Sequence, residues 1–189
     1  FAIASICFFF IVITREAFKI PSKVIPIIII NSIFMVLYNF FYFKGTQIGL
    51  AGTGGVLVTT LNPILTSIFS SIFKYDTFPR KDWVGLFFGL IAGGIILRIW
   101  ELNFFIFYNS GNVFFIMASL SWVAVTITTS KSKEKISFSS YSFWTFLSSA
   151  LLSVAFVPYN TLFSIITFDL IFWFNLIILS VFAMAFGTS

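Results

Sequence analysis

Apolar residues in this chain come in long unbroken runs separated by short polar gaps. Crossing the hydrocarbon core of a bilayer as a helix takes about 20 such residues. Seven runs meet or approach that length: 1–14, 24–43, 50–73, 83–100, 111–129, 138–157 and 168–188. A shorter run, 102–108, cannot span and reads as an interfacial link. Transmembrane strands would alternate polar and apolar positions. Residues 8–12 and 27–30 are apolar throughout, so a β-barrel is not indicated. The pattern predicts an all-α integral membrane protein, a polytopic bundle with about seven helices present.

The cations support the same division. The first loop holds Arg15, Lys19 and Lys23, the third Lys74, Arg80 and Lys81, and the fifth Lys131, Lys133 and Lys135. The second and fourth hold only Lys44 and Arg98, and the sixth has none. Loops that retain Lys and Arg stay on the cytoplasmic side. Loops 15–23, 74–82 and 130–137 are therefore expected in the cytoplasm, and a missed or extra helix would scramble this alternation. Trp83 and Trp100 bracket the fourth run, and Trp144 and Trp173 fall near helix ends, where indole rings favour the headgroup boundary. Trp122, near mid-helix, departs from that habit.

Composition agrees: 59% of the 189 residues are hydrophobic and 9% charged, with a mean hydropathy of +1.07. A soluble domain carries roughly 25% charged residues. The net charge of +5 would suggest nucleic acid in a soluble protein. Here the cations sit in the gaps and read as topology signals, so no nucleic-acid partner is expected. Both termini lie in apolar runs without a leader sequence, as expected of a fragment of a longer protein. The lone Cys7 permits no disulfide within the chain.

Candidate chemistry narrows the function. There is no histidine, and Glu16, Asp76, Asp82, Glu101, Glu134 and Asp169 all fall in gaps or at helix ends. Proton transfer and metal assistance lack their usual groups. No enzyme activity, cofactor or metal is expected. The informative residues are polar and small ones inside the spans. Gly85, Gly89 and Gly93 form overlapping GxxxG patterns, which let helix backbones pack closely in lipid. In the third run Gly52, Gly55, Thr59, Asn62, Thr66 and Ser70 recur at spacings of three and four and share one helix face. Pro63 removes a backbone donor there and frees the carbonyl near Thr59. Irregular backbone at this depth is tolerated when packed in protein or lining a cavity, and both readings stay open. Asn31, Met35, Tyr38 and Tyr42 share a face of the second run, with Asn39 beside them. An amide is costly against lipid, so Asn39 is expected to point into the bundle. Ser119, Trp122 and Thr126 share a face of the fifth run, where Trp122 could stack on a solute or fill space. Asn175 in the seventh run poses the same alternative, whereas Ser142, Ser149 and Ser153 read as packing residues. The 29 phenylalanines carry no specific signal.

Several stretches resemble one family. Leu61-Asn62-Pro63-Ile64-Leu65-Thr66 is similar to the fourth-helix motif of the drug/metabolite transporter superfamily, EamA-like branch. That motif is followed by a short charged loop, here Lys74-Tyr75-Asp76, and an aromatic-Val-Gly helix start, here Trp83-Val84-Gly85. The Glu-Arg pair common in that loop is replaced by Asp76 and a later Arg80. Ser121-Trp122-Val123-Ala124 resembles the start of the family's second repeat, and Phe186-Gly187-Thr188-Ser189 its eighth helix. The resemblance implies ten helices in two inverted five-helix repeats, of which this chain holds helices two to eight. Residues 1–100 would be the first repeat without its first helix, and 101–189 the second without its last two. It also implies a central solute cavity, placing Tyr38, Asn39, Thr59, Asn62, Pro63, Trp122 and Asn175 as candidate lining residues.

The expected function is a secondary transporter in the inner membrane, moving a small metabolite or drug-like solute by alternating access. Its expected partners are that solute, the bilayer and a second copy in a homodimer. The competing reading is a membrane scaffold whose polar faces serve packing alone.

Overall fold

The computed structural model describes residues 2–15, 18–72, 80–96, 99–101, 103, 111–132, 135–157 and 167–187. Within them lie seven α-helices: α1 (Ala2–Thr14), α2 (Ile25–Ile48), α3 (Ala51–Ile72), α4 (Arg80–Ile96), α5 (Asn112–Ser130), α6 (Phe138–Val154) and α7 (Leu170–Gly187). A 3-10 turn, Ile99–Glu101, follows α4 and carries Trp100. No strand occurs among the described residues. Three helices, α2, α3 and α5, are long and apolar enough to cross a membrane, while Ala2–Thr14, Asp82–Ile96 and Leu170–Phe182 are shorter apolar helices. The expected link at 102–108 lies outside the described residues apart from Asn103, as do Lys74, Asp76, Arg98 and Lys133.

Helix ends follow local chemistry. Pro26 sits in the first turn of α2, where a missing N–H costs nothing. The helix runs to Ile48, past the apolar run, because Thr46 donates to the Phe43 carbonyl at 2.9 Å and keeps its polar group within the helix. Ser137 caps α6, its Oγ accepting from the Ser140 amide. Asp169 does the same for α7, its Oδ1 accepting from the Phe172 amide at 2.9 Å. Through Pro63, α3 continues as one helix. Proline has no donor for the Thr59 carbonyl, so the interruption is in hydrogen bonding rather than in helix length.

The chain divides into two compact units. The first comprises residues 1–33 and 128–189. In it α1 packs against α6 and α7, and Val24, Ile28 and Tyr141 form a buried cluster flanked by Ile20, Ile27, Ile136 and Trp144. Buried polar side chains join its helices. Asn31, 1% exposed, donates to Thr129 Oγ1 at 3.3 Å and accepts from Thr128 Oγ1 at 2.8 Å. Ser32 donates to the Thr145 carbonyl, and Ser149 bonds both that carbonyl and the Ser32 carbonyl. Without a hydrophobic drive between helices in lipid, such bonds are a principal source of cohesion.

The second unit comprises residues 34–127, and α3 packs against α4 within it. Its core is Leu57, Val58, Phe115 and Ala118, flanked by Tyr38, Phe41, Tyr42 and Leu61. Phe115 is fully buried, its ring pressed against Gly45 and Gly54 so closely that a Cβ at either glycine would overlap it. Gly111, just before α5, has φ +76, and a Cβ there would stand 3.1 Å from the Gly45 carbonyl oxygen. Glycine is required at that position for both conformation and space.

Candidate functional site

The second unit gathers several of the sequence candidates. From the lock between Gly45, Gly54 and Phe115, α2, α3 and α5 extend to Tyr38, Asn62 and Trp122. Each of these lies near the middle of its helix. The Tyr38 and Trp122 rings meet with centroids 4.8 Å apart and planes tilted by 51°. Tyr42 stacks on Tyr38 at 5.9 Å and meets Phe115 edge-on at 5.8 Å. The result is an aromatic column rooted in the glycine lock, so the orientation of Tyr38 and Trp122 is set by buried packing. Aromatic pairs at such tilts and distances attract beyond their area burial.

Asn62 follows Leu61, which packs on the core, and its Oδ1 is buried with no hydrogen-bond partner. Ser119, one turn before Val123 on the buried side of α5, is fully buried, and its Oγ also has no partner. Buried polar atoms in folded proteins are nearly always paired, by water or ligand where not by protein. An unpaired amide oxygen on α3 and a half-buried Tyr–Trp pair between α2 and α5 are groups that a small polar or amphipathic solute can engage.

Other candidates are placed differently. Thr59 is exposed, its Oγ1 bonding the Gly55 and Val56 carbonyls of its own helix at 2.7 and 3.2 Å. Pro63 and Gly52 are also exposed. The buried side of α3 carries Gly54, Leu57, Val58, Ser67 and Ser70, so of the predicted small polar face Ser70 is buried, Gly55, Asn62 and Thr66 are half-buried, and Gly52 and Thr59 are exposed. Asn39, expected to point inward, is exposed, and its Nδ2 donates to the Met35 carbonyl at 3.0 Å. A side-chain amide that bonds its own backbone loses much of its cost of facing outward, which removes the reason to turn in. Gly93 abuts Thr60, with a Cβ there only 2.7 Å from Thr60 atoms, whereas Gly85 and Gly89 have nothing within 4 Å. Asn175 belongs to the first unit and is exposed on α7.

Two features escaped the sequence reading: the Phe115 lock, and the direct meeting of Tyr38 with Trp122. Glycines flanking the tight α2–α3 turn signal close approach, but nothing singles out one ring among 29 phenylalanines. Among the described residues no group of His, Cys, Asp or Glu could hold a metal ion.

Comparison with known proteins supplies the remaining link. No curated protein and no solved structure matches the chain significantly. The sequence model of the EamA-like transporter family matches residues 1–98, which take in α1 to α4 with Tyr38, Asn62 and Pro63. Apolar spanning helices, an all-helical fold and a match over half of its length agree: this chain belongs to the EamA-like transporter family, a family of membrane transporters of the drug/metabolite type.

Proposed function

We propose that the protein is a secondary transporter that carries a small polar or amphipathic solute by alternating access, with solute contacting Tyr38, Asn62 and Trp122. The observation that carries this reading is the unpartnered Asn62 amide oxygen near the middle of α3, in the unit that also holds the Tyr38–Trp122 pair near the middles of α2 and α5. Transporters with internal repeats bind substrate near the bilayer midplane. Family membership supports transport itself. The resemblance along 101–189 supports reading that part as the second repeat. Asn39, Thr59, Pro63 and Asn175 are secondary candidates, whose exposed positions suit contact with solute or with further helices. The nine cations in odd-numbered loops support an inner-membrane orientation with loops 15–23, 74–82 and 130–137 in the cytoplasm.

Metabolite profiling of cells and medium, with full-length wild type or Asn62→Ala, tests the reading. A metabolite that moves with wild type alone names the solute and the direction. Equal transport by both would remove Asn62 from the site. No transport by well-inserted wild type across a broad panel would favour the scaffold reading.

A further inference from the structure

We infer that one end of the first unit is a binding surface for the headgroup of an anionic phospholipid, centred on Lys19, Lys23 and Lys135. Two connections converge there. Ile20 and Val24 from the link before α2, and Ile136 from the link before α6, pack with Tyr141 and Trp144 in one cluster. The Trp144 indole donates to the Phe18 carbonyl at 3.2 Å. Phe18 also meets Phe8 at 5.5 Å and Phe143 at 5.8 Å, and Phe143 meets Trp144 at 5.1 Å. The lysines flank these anchored residues: Lys19 precedes Ile20, Lys23 precedes Val24 and Lys135 precedes Ile136. All three are exposed.

Cations in such links also act as signals during membrane insertion. That role needs no fixed geometry, because it ends once the helices are in place. Here the fold holds residues 20–24 and 136 together and presents Lys19, Lys23 and Lys135 at one end of the unit. The links, 15–24 and 131–137, carry six cations against two carboxylates in sequence. Helices α2 and α6 both begin at this end, and the positive ends of their dipoles add to the field. Phe8 and Phe18 are exposed beside the lysines and offer apolar surface to acyl chains, and the indole of Trp144 is of the kind that favours the headgroup boundary. Positive charge above an apolar, aromatic-rimmed surface matches a lipid, whose phosphate lies above its acyl chains. Clusters of Lys and Arg next to membrane helices bind anionic lipid in this manner.

The test uses the full-length protein in nanodiscs of phosphatidylcholine mixed with phosphatidylglycerol, with co-purifying lipid read by native mass spectrometry. Wild type retains phosphatidylglycerol preferentially, and molar salt abolishes the preference because exposed charges are then screened. Neutralising each lysine lowers the preference about fivefold, so the Lys19→Gln/Lys23→Gln/Lys135→Gln variant loses roughly a hundredfold. Lys44→Gln, near the C-terminal end of α2, leaves it unchanged. Should the triple variant insert poorly, the lipid and salt comparisons on wild type still decide. Equal retention of both lipids by wild type would overturn the inference. So would a salt-insensitive preference, a triple variant that binds as wild type does, or displacement of the lipid by inorganic phosphate, which would mark a site for soluble anions.

Discussion

The two units differ in whether the hydrogen bonds of their polar side chains cross between helices. In the first, buried polar side chains reach across to neighbouring helices: Asn31 to Thr128 and Thr129, Ser32 and Ser149 to backbone across the α2–α6 contact. In the second, candidate polar side chains bond their own helix, as Thr59, Asn39 and Thr126 do, or have no partner, as with Asn62 Oδ1 and Ser119 Oγ. Cohesion there comes from rings set against glycine. A polar group engaged between helices holds structure and is not free for solute. One that has only local partners, or none, is available at little structural cost. The division is not absolute, since in the first unit Thr14, Ser153 and Ser180 bond their own helices and Tyr141 OH and Thr145 Oγ1 are buried without partners. The contrast predicts which substitutions damage transport and which damage the fold.

The largest effect is expected at Trp122. Removing its ring empties one face of the aromatic pair, and Trp122→Ala should lower flux at least about tenfold while leaving membrane insertion intact, since a displaced group at a binding site costs orders of magnitude. Flux measured per inserted molecule checks this, and normal flux would take Trp122 out of the site. Next comes the glycine lock. Phe115→Ala leaves a ring-sized void and should destabilise the fold by about 3 kcal/mol. Thermal unfolding in detergent reads the loss, and an unchanged melting temperature would mean that the lock does not hold the second unit. Gly54→Leu should also destabilise the fold, by about 1–3 kcal/mol, because its side chain has no space beside Phe115. Asn31→Ala removes two hydrogen bonds between helices, each worth about 0.6 kcal/mol in a membrane setting. Its melting temperature should fall modestly while flux per folded molecule stays near wild type. The smallest effect is expected at Thr59. Thr59→Val removes only bonds within its own helix and should change stability by less than about 0.5 kcal/mol. A larger stability loss would reveal a helix partner that engages this hydroxyl.

The helices were legible in the sequence because lipid imposes a simple rule: long apolar runs, with charge confined to the gaps. Boundaries moved where polar residues continued a helix, as at Lys44 to Gln47 of α2, or where α4 ended before Trp100. Tyr38, Asn62 and Trp122 were legible singly, as polar or aromatic groups at mid-span. The meeting of Tyr38 with Trp122 was not, because helical spacing fixes a residue's face on its own helix but not which neighbour it meets. Asn39 shows the same limit from the other side. An amide is costly against lipid, but one bond to the Met35 carbonyl relieves that cost locally, and Asn39 is exposed rather than turned inward.

The most direct measurement compares Asn62→Ala with Asn31→Ala in the reconstituted full-length protein, using the solute named by profiling and scoring flux per folded molecule beside melting temperature. The account predicts that Asn62→Ala loses flux and keeps its stability, while Asn31→Ala loses stability and keeps its flux. If Asn62→Ala transports normally, or if the two variants fail in the same way, the division between a site in one unit and polar adhesive in the other is wrong.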